Sequence, residues 1–278
     1  MSARRVGAAA RDGEVLLLDI GNSRLKWALL RGTYRRGQPF AASGALPLDA
    51  LRAGESALPR LLAAFGPQLR IQACNVAGVR IERELRTIAR RAGLRPPRFV
   101  RSTHAAGGVR NAYLEPWRLG ADRWVCLIGG RAEYPGRALC IVAAGTAVTV
   151  DLLDAQGRHR GGSIIPGPRL MIESLLEGTA GIRRRAGGRN AAKFSTTNRE
   201  ALFARDTRTA LVAGARYAAV GLIEQAMRSA RTLLGAQPRL LLAGGAADAI
   251  APLLRVAHRR EDELALRGLA VLWCLQFA

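Results

Sequence analysis

One pattern occurs twice in this chain. Glu14 to Gly32 reads EVLLLDIGNSRLKWALLRG, and Ala138 to Gly157 reads ALCIVAAGTAVTVDLLDAQG. Each is an apolar strand, a polar turn centred on glycine, a second apolar strand and a further turn. Gly21 and Gly145 align at an offset of 124 residues. Repeated strand-turn-strand units at half-chain spacing predict two similar domains, each opening with a β-hairpin, facing one another across a cleft. The expected division is residues 1–136, carrying the first turn, and residues 137–278, carrying the second. A length of 278 residues suits two modest domains.

Between the repeats the periodicity predicts a helix over Ser56 to Phe65, a strand over Arg70 to Val76 and an amphipathic helix over Val79 to Ala92. A strand over Arg98 to Arg101 follows Pro96-Pro97, and a helix over Gly120 to Glu133 carries Asp122 and Arg123 in its first turn. The second half predicts a helix over Arg169 to Glu177, a basic loop from Arg183 to Lys193 and a long Ala-rich helix from Thr207 to Leu234. A strand over Arg239 to Ala243 then runs into Gly244-Gly245, and a final helix covers Glu261 to Leu275. This alternation is that of an α/β protein.

Charge and cysteine usage narrow the function classes. Lys+Arg 43 against Asp+Glu 21 gives a net charge of +22, which invites a nucleic-acid reading. The excess is almost all arginine, spread along the chain with no run of five basic residues, so it reads as a surface bias and nucleic acid is not the expected partner. Cys74, Cys126, Cys140 and Cys274 show no C-x-x-C, and His104, His159 and His258 stand apart without a partner in sequence, so neither a zinc site nor a disulfide framework is expected. No segment reaches the ~18 apolar residues of a membrane span. A cytoplasmic protein with reduced thiols is the expectation.

The chemistry-bearing residues lie in the turns. Asp19-Ile20-Gly21-Asn22-Ser23 with Lys26 places a carboxylate at a strand end, followed by backbone N–H groups that a glycine leaves accessible. Such a loop can hold a Mg²⁺-phosphate, or it can be an ordinary hairpin turn. Lys26, one of only two lysines, supplies a compact charge suited to phosphate. Gly145-Thr146, with Thr149 and Asp151, offers N–H groups and hydroxyls for the other half of a phosphate clamp. Asp122 is a candidate general base or a helix-dipole residue, and Arg123 a candidate anion partner or one more surface arginine. The glycines of Gly161 to Gly167 and Gly244-Gly245 shape loops or simple turns.

Taken in order, these residues resemble the type III pantothenate kinase family, with its relatives described as Bvg accessory factor-like proteins. The D-x-G-N-[TS]-x-x-K loop is Asp19, Gly21, Asn22, Ser23 and Lys26, and the Y-x-x-P-x-x-x-G-x-D-R segment is Tyr113, Pro116, Gly120, Asp122 and Arg123. The G-T-A-x-T-x-D loop is Gly145, Thr146, Ala147, Thr149 and Asp151. The G-G-x-I-x-P-G turn falls at Gly161 to Gly167, and a T-x-x-A-x-x-x-G pattern at Thr207, Ala210 and Gly214. Five such motifs in order are specific where each alone is weak.

The resemblance implies an actin-like ATPase fold of two RNase H-like domains with ATP between them, a homodimer, and ATP-dependent phosphorylation of pantothenate toward coenzyme A. It makes Asp122 the base and Asp19 the Mg²⁺ residue, with Gly21, Asn22, Ser23, Lys26, Gly145 and Thr146 around the phosphates. Tyr113, Gly120, Arg123 and Thr207 would line the pantothenate pocket, Thr207 reaching it across the dimer interface. Two positions depart from the family. Ala143 stands where members carry an aspartate associated with a monovalent cation, K⁺ or NH₄⁺, so an altered or absent cation site is expected. Asp206 stands where Asn is common, a change expected to be mild. The competing expectations are a non-catalytic regulatory or nucleic-acid-associated protein on the same fold, and another enzyme of the actin-like group, a sugar kinase or a phosphatase of nucleoside polyphosphates.

Overall fold

The first sheet forms around a strand buried on both faces. In the computed structural model, which describes residues 13–52, 57–187 and 202–276, β1 (Glu14–Ile20) carries EVLLLDI. A continuous apolar run of this kind suits a central strand covered on both sides. β1 pairs antiparallel with β2 (Arg24–Arg31) through the Gly21 turn, and β2 pairs antiparallel with β3 (Ala42–Pro47). After α1 (Leu48–Arg52) and α2 (Leu58–Ala63), β4 (Arg70–Asn75) returns parallel to β1. Beyond α3 (Val79–Arg91), β5 (Arg98–Phe99) closes the sheet in the order β3-β2-β1-β4-β5. One face, with Leu16, Leu18 and Ile20, packs on Leu58 and Leu62 of α2 and on Ile81, Leu85 and Ala89 of α3.

A small hairpin, β6 (Ala105–Ala106) and β7 (Val109–Arg110), turns through Gly107 and Gly108, both at positive φ, and was not foreseen from the sequence. Its strands are two residues each, too short to show a period. α4 (Ala121–Glu133) follows.

The second unit repeats the first. β8 (Leu139–Ala144), β9 (Ala147–Leu153) and β10 (His159–Pro166) form an antiparallel meander. After α5 (Pro168–Gly178), α6 (Ala180–Arg185) and α7 (Thr207–Leu234), β11 (Arg239–Ala243) runs parallel to β8. α8 (Ala247–Ile250) and β12 (His258–Arg260) complete the order β10-β9-β8-β11-β12. Both sheets thus share one connectivity and one pattern of parallel and antiparallel pairs, as the sequence repeat predicts. The fold is the actin-like ATPase fold. Val142, Val148 and Val150 pack on Ala219, Ile223 and Met227 of α7. That helix starts on an Asp206 cap and stops at Gly235, at φ 68°.

Four expectations are corrected. The two compact units are Met1–Pro135 with Glu263–Ala278, and Gly136–Asp262, so the chain's last residues return to the first unit instead of completing the second. The reason is α9 (Leu264–Cys274), which seats on α4 where two glycines let the backbones touch. A Cβ on Gly129 would collide with the Leu264 carbonyl, and one on Gly268 with the Val125 carbonyl. Gln72 Nε2 also donates to the Leu269 carbonyl, 2.7 Å away in the interior, and Arg267 Nη1 lies 3.3 Å from Glu133 Oε1 at the end of α4.

The segment Gly161 to Pro166 is strand, not turn, with a bulge between His159 and Gly162, and only Gly167 turns the chain. His159 has a partner: its Nε2 lies 2.9 Å from Asp151 Oδ1, both buried, across the β9–β10 hairpin. Arg183 to Arg185 end α6 instead of opening a loop. Residues 188–193 of the expected basic loop lie outside the described residues. Among those described, no helix is long and apolar enough to cross a membrane.

Candidate active site

The carboxyl ends of the strands carry both glycine turns. In the first unit, Gly21 N donates to the Arg24 carbonyl at 3.0 Å, and Leu48 N to the Ser23 carbonyl at 3.0 Å, which fixes the hairpin tip and leaves Asn22 and Ser23 exposed. Strand register then builds a row across the sheet: Lys26 on β2 stands opposite Asp19 on β1, and Asp19 opposite Cys74 on β4. Residues so paired share one face. Cys74 Sγ donates to Asp19 Oδ1 at 3.2 Å. Burial raises the Asp19 carboxyl above its ordinary range and the Asp122 charge adds to this, while the Cys74 hydrogen bond and Lys26 pull it down. Burial and the Asp19 charge hold the Cys74 thiol well above its usual value, so it stays a protonated donor.

Asp122 is therefore close enough to Asp19 for the two charges to interact, and both belong to the first unit. It sits in the first turn of α4, where its Oδ1 accepts from Arg123 N at 2.8 Å. The carboxylate folds back over Gly120, since a Cβ there would stand 2.6 Å from Asp122 Oδ1. Arg123 is buried, its Nη1 donates to the Tyr113 hydroxyl at 3.0 Å, and its guanidinium lies 5.7 Å from that ring's centre. Tyr113, Gly120, Asp122 and Arg123 are thus one local assembly.

Two residues that the sequence did not single out hold this assembly, and Cys74 holds Asp19. Asn111 Oδ1 accepts from Tyr113 N at 3.0 Å, and its Nδ2 reaches the Pro116 carbonyl at 3.3 Å. Ser102 Oγ donates to the Leu119 carbonyl at 2.8 Å in the interior, just before Gly120. Only Asn111 left a readable signal, since Asn two residues before an ordered N–H is Asx-turn chemistry.

In the second unit, three glycine segments that stand apart in sequence meet at the ends of β8 and β11. Gly145 N donates to the Ala147 carbonyl at 2.9 Å, and Gly167 N to the Thr146 carbonyl at 2.8 Å. A Cβ on Gly167 would strike the Gly145 carbonyl, and one on Gly244, at φ 100°, would strike the Ala144 carbonyl. Thr207 opens α7 elsewhere in this unit, behind the Asp206 cap, whose carboxylate accepts from Thr209 N at 2.9 Å. Asn caps a helix as well as Asp does.

A strand-end carboxylate beside a glycine turn suits Mg²⁺ bound with phosphate, because that ion keeps most of its waters and needs one or two protein carboxylates. Among the described residues no group of three or more His, Cys, Asp or Glu forms a self-sufficient metal cage. Asp19 fits the shared arrangement: Cys74 holds its Oδ1. The fold is that of the actin-like group, and a strand-end carboxylate beside a phosphate-type loop suits phosphoryl transfer.

Comparison with known proteins names the branch. The sequence profile described as type III pantothenate kinase matches residues 15–229. The chain is 41% identical over 264 residues to the type III pantothenate kinase of Burkholderia thailandensis, covering 94% of this chain and 98% of that one. It is 36% identical over 264 residues to that of Nitrosococcus oceani, covering 92% of each. Among solved structures, a protein of Campylobacter jejuni described as a Baf family transcriptional activator superposes with a TM-score of 0.57 at 19% identity, over 95% of this chain and all of that one. The ethanolamine utilization protein EutJ of Carboxydothermus hydrogenoformans gives 0.52 at 12% identity, over 95% and 92%. The chain belongs to the type III pantothenate kinase family.

Proposed function

We propose that this chain transfers the γ-phosphoryl group of ATP to the hydroxyl of pantothenate, giving 4′-phosphopantothenate, the first step toward coenzyme A. The observation that carries the residue assignment is the strand-end row in which Asp19 stands between Lys26 and Cys74, with the Asp122 charge acting on its carboxyl. Phosphoryl transfer asks a protein mainly for positioning and charge neutralisation, and the chain's groups divide along those lines. Bound Mg²⁺ would neutralise phosphate charge. Asp19 is the residue to hold it, and Lys26 adds a point charge beside it. Asn22 and Ser23, exposed at the tip that Gly21 turns, are the groups of the first loop for phosphate oxygens, and Gly145 and Thr146 are the phosphate-type turn of the second unit. Asp122 accepts the proton that the attacking hydroxyl gives up.

Arg123, braced by Tyr113, is the partner for the pantothenate carboxylate, with Gly120 in the same local assembly, and Thr207 is a further residue for pantothenate. A homodimer belongs to this reading, as does a cytoplasmic location. Exposed apolar side chains support an association face: Leu170 and Leu175 on α5, and Phe203, which is 89% exposed, just before α7. The deciding experiment is ADP release measured side by side with pantothenate, with sugars and with no acceptor. Turnover only with pantothenate is the expected result. ATP binding with no pantothenate turnover across a range of Mg²⁺ would overturn it.

The second reading is a nucleic-acid-associated regulator, favoured by the net charge of +22 and by the description of the Campylobacter protein. Tight, sequence-selective binding to duplex DNA, weakening steeply with salt, would support it, whereas weak and unselective binding favours the kinase.

A further inference from the structure

We infer that Cys74 is a positioning residue for phosphoryl transfer, acting by holding one oxygen of the Asp19 carboxylate. The inference rests on reading Asp19 as the metal-holding group. An aspartate at a strand end can turn about χ1 and χ2, and each freed rotamer moves the oxygens by more than a metal–ligand bond tolerates. Here the sheet removes that freedom from one side. Parallel register sets Cys74 directly beside Asp19, its thiol lies 3.2 Å from Oδ1, and its side chain is wholly buried, 0% exposed. β4 is itself held in place: Val76 N donates to the Ile20 carbonyl at 3.0 Å one step further along. Asn75 Oδ1 accepts from Ala77 N at 2.9 Å.

The thiol therefore occupies Oδ1 and orients the carboxylate from the β4 side. Lys26 approaches the same carboxylate from β2, so Asp19 is bracketed by a cation on one strand and a neutral donor on the other. A neutral donor orients the carboxylate without cancelling its charge, which a second cation would do. Groups that hold a metal-binding carboxylate typically matter 10- to 100-fold in metal affinity.

The test uses the full chain with Mn²⁺ as the probe, its binding in the presence of ADP followed by electron paramagnetic resonance, alongside kcat, KM and melting temperature. Cys74→Ala should weaken Mn²⁺ binding by roughly 10- to 100-fold and raise the Mg²⁺ needed for half-maximal rate in step. Cys74→Ser keeps a donor and should stay within about threefold of the parent, although it loses the packing of the sulfur. If Cys74→Ala does not fold, Cys74→Val fills the space without a donor and should show the same loss. A merely structural thiol would lower the melting temperature in all three and leave Mn²⁺ binding unchanged, which would overturn the inference. Asp19→Asn separates the two readings. If it abolishes Mn²⁺ binding and Cys74→Ala does not alter it, only the role of Cys74 fails, whereas unchanged binding in Asp19→Asn removes the premise itself.

Discussion

Asp19 and Ala143 occupy the same position in two sheets of identical strand order: each is the next-to-last residue of its unit's central strand, before the glycine turn. Asp19 stands opposite Lys26, and Ala143 stands opposite Thr149 on one side and Ala243 on the other. The repeat thus keeps a carboxylate-lysine pair in one unit and an alanine-threonine pair in the other. With no anionic oxygen at 143, a monovalent cation would depend on a hydroxyl, backbone carbonyls and water. We expect K⁺ or NH₄⁺ to stimulate activity only weakly over Na⁺ at constant ionic strength, and Ala143→Asp to strengthen the effect. An absolute K⁺ requirement in the unaltered chain would contradict this.

Asp122→Asn should remove about 10²- to 10⁴-fold of kcat, the usual range for losing a general base. The amide can still accept from Arg123 N, so the start of α4 and nucleotide affinity should hardly change. Steady-state rates and equilibrium ADP binding on the same preparation check both halves. Full activity in the variant would leave Asp122 as a helix-terminus residue.

The two hairpins were legible in the sequence because each is a continuous apolar run broken by glycine, and the long helix because Thr207 to Leu234 lies between an Asp cap and a terminal glycine. The unit to which α9 belongs was not. Its apolar pattern announces burial without saying against what, and the information lies in Gly129 and Gly268, which look ordinary until two backbones meet there. The Asp151–His159 pair was hidden for a related reason: the residues are eight apart, and only the hairpin with its bulge makes them neighbours. At the candidate site, groups adjacent in sequence to a motif were readable, whereas Cys74 and Ser102 reach it through strand register and a buried loop contact.

The cap on α7 should be acid-sensitive. The backbone hydrogen bond from Thr209 holds the Asp206 carboxyl below its ordinary range. A depressed folded-state pKa means that the stabilisation is present above the unfolded value and is lost as pH falls through the folded one. Followed by NMR from about pH 6 down to about pH 2, the Thr209 amide should shift with an apparent pKa below that of an ordinary aspartate. Asp206→Asn should keep the cap and abolish that titration.

Gly167 gives the sharpest test of the second glycine cluster, because what a side chain there would meet is backbone. Its N–H donates to the Thr146 carbonyl at 2.8 Å, and an added Cβ would run into the carbonyl of Gly145, which no side-chain rotation can relieve. Gly167→Ala must therefore displace the Gly145-Thr146 turn, and a shift of about 1 Å at a site that works by positioning can cost ~10²-fold. Overpacking of this kind also destabilises by about 1 to 3 kcal/mol. Gly221→Ala is the matched control: it lies in α7, exposed, with nothing within 4 Å of the new Cβ. There the exchange should stabilise the helix by about 0.5 to 1 kcal/mol and leave the KM for ATP unchanged. Parallel melting curves and ATP titrations of the two variants read both effects. A Gly167→Ala protein with parental KM and kcat would show that Gly145 and Thr146 do not touch the nucleotide.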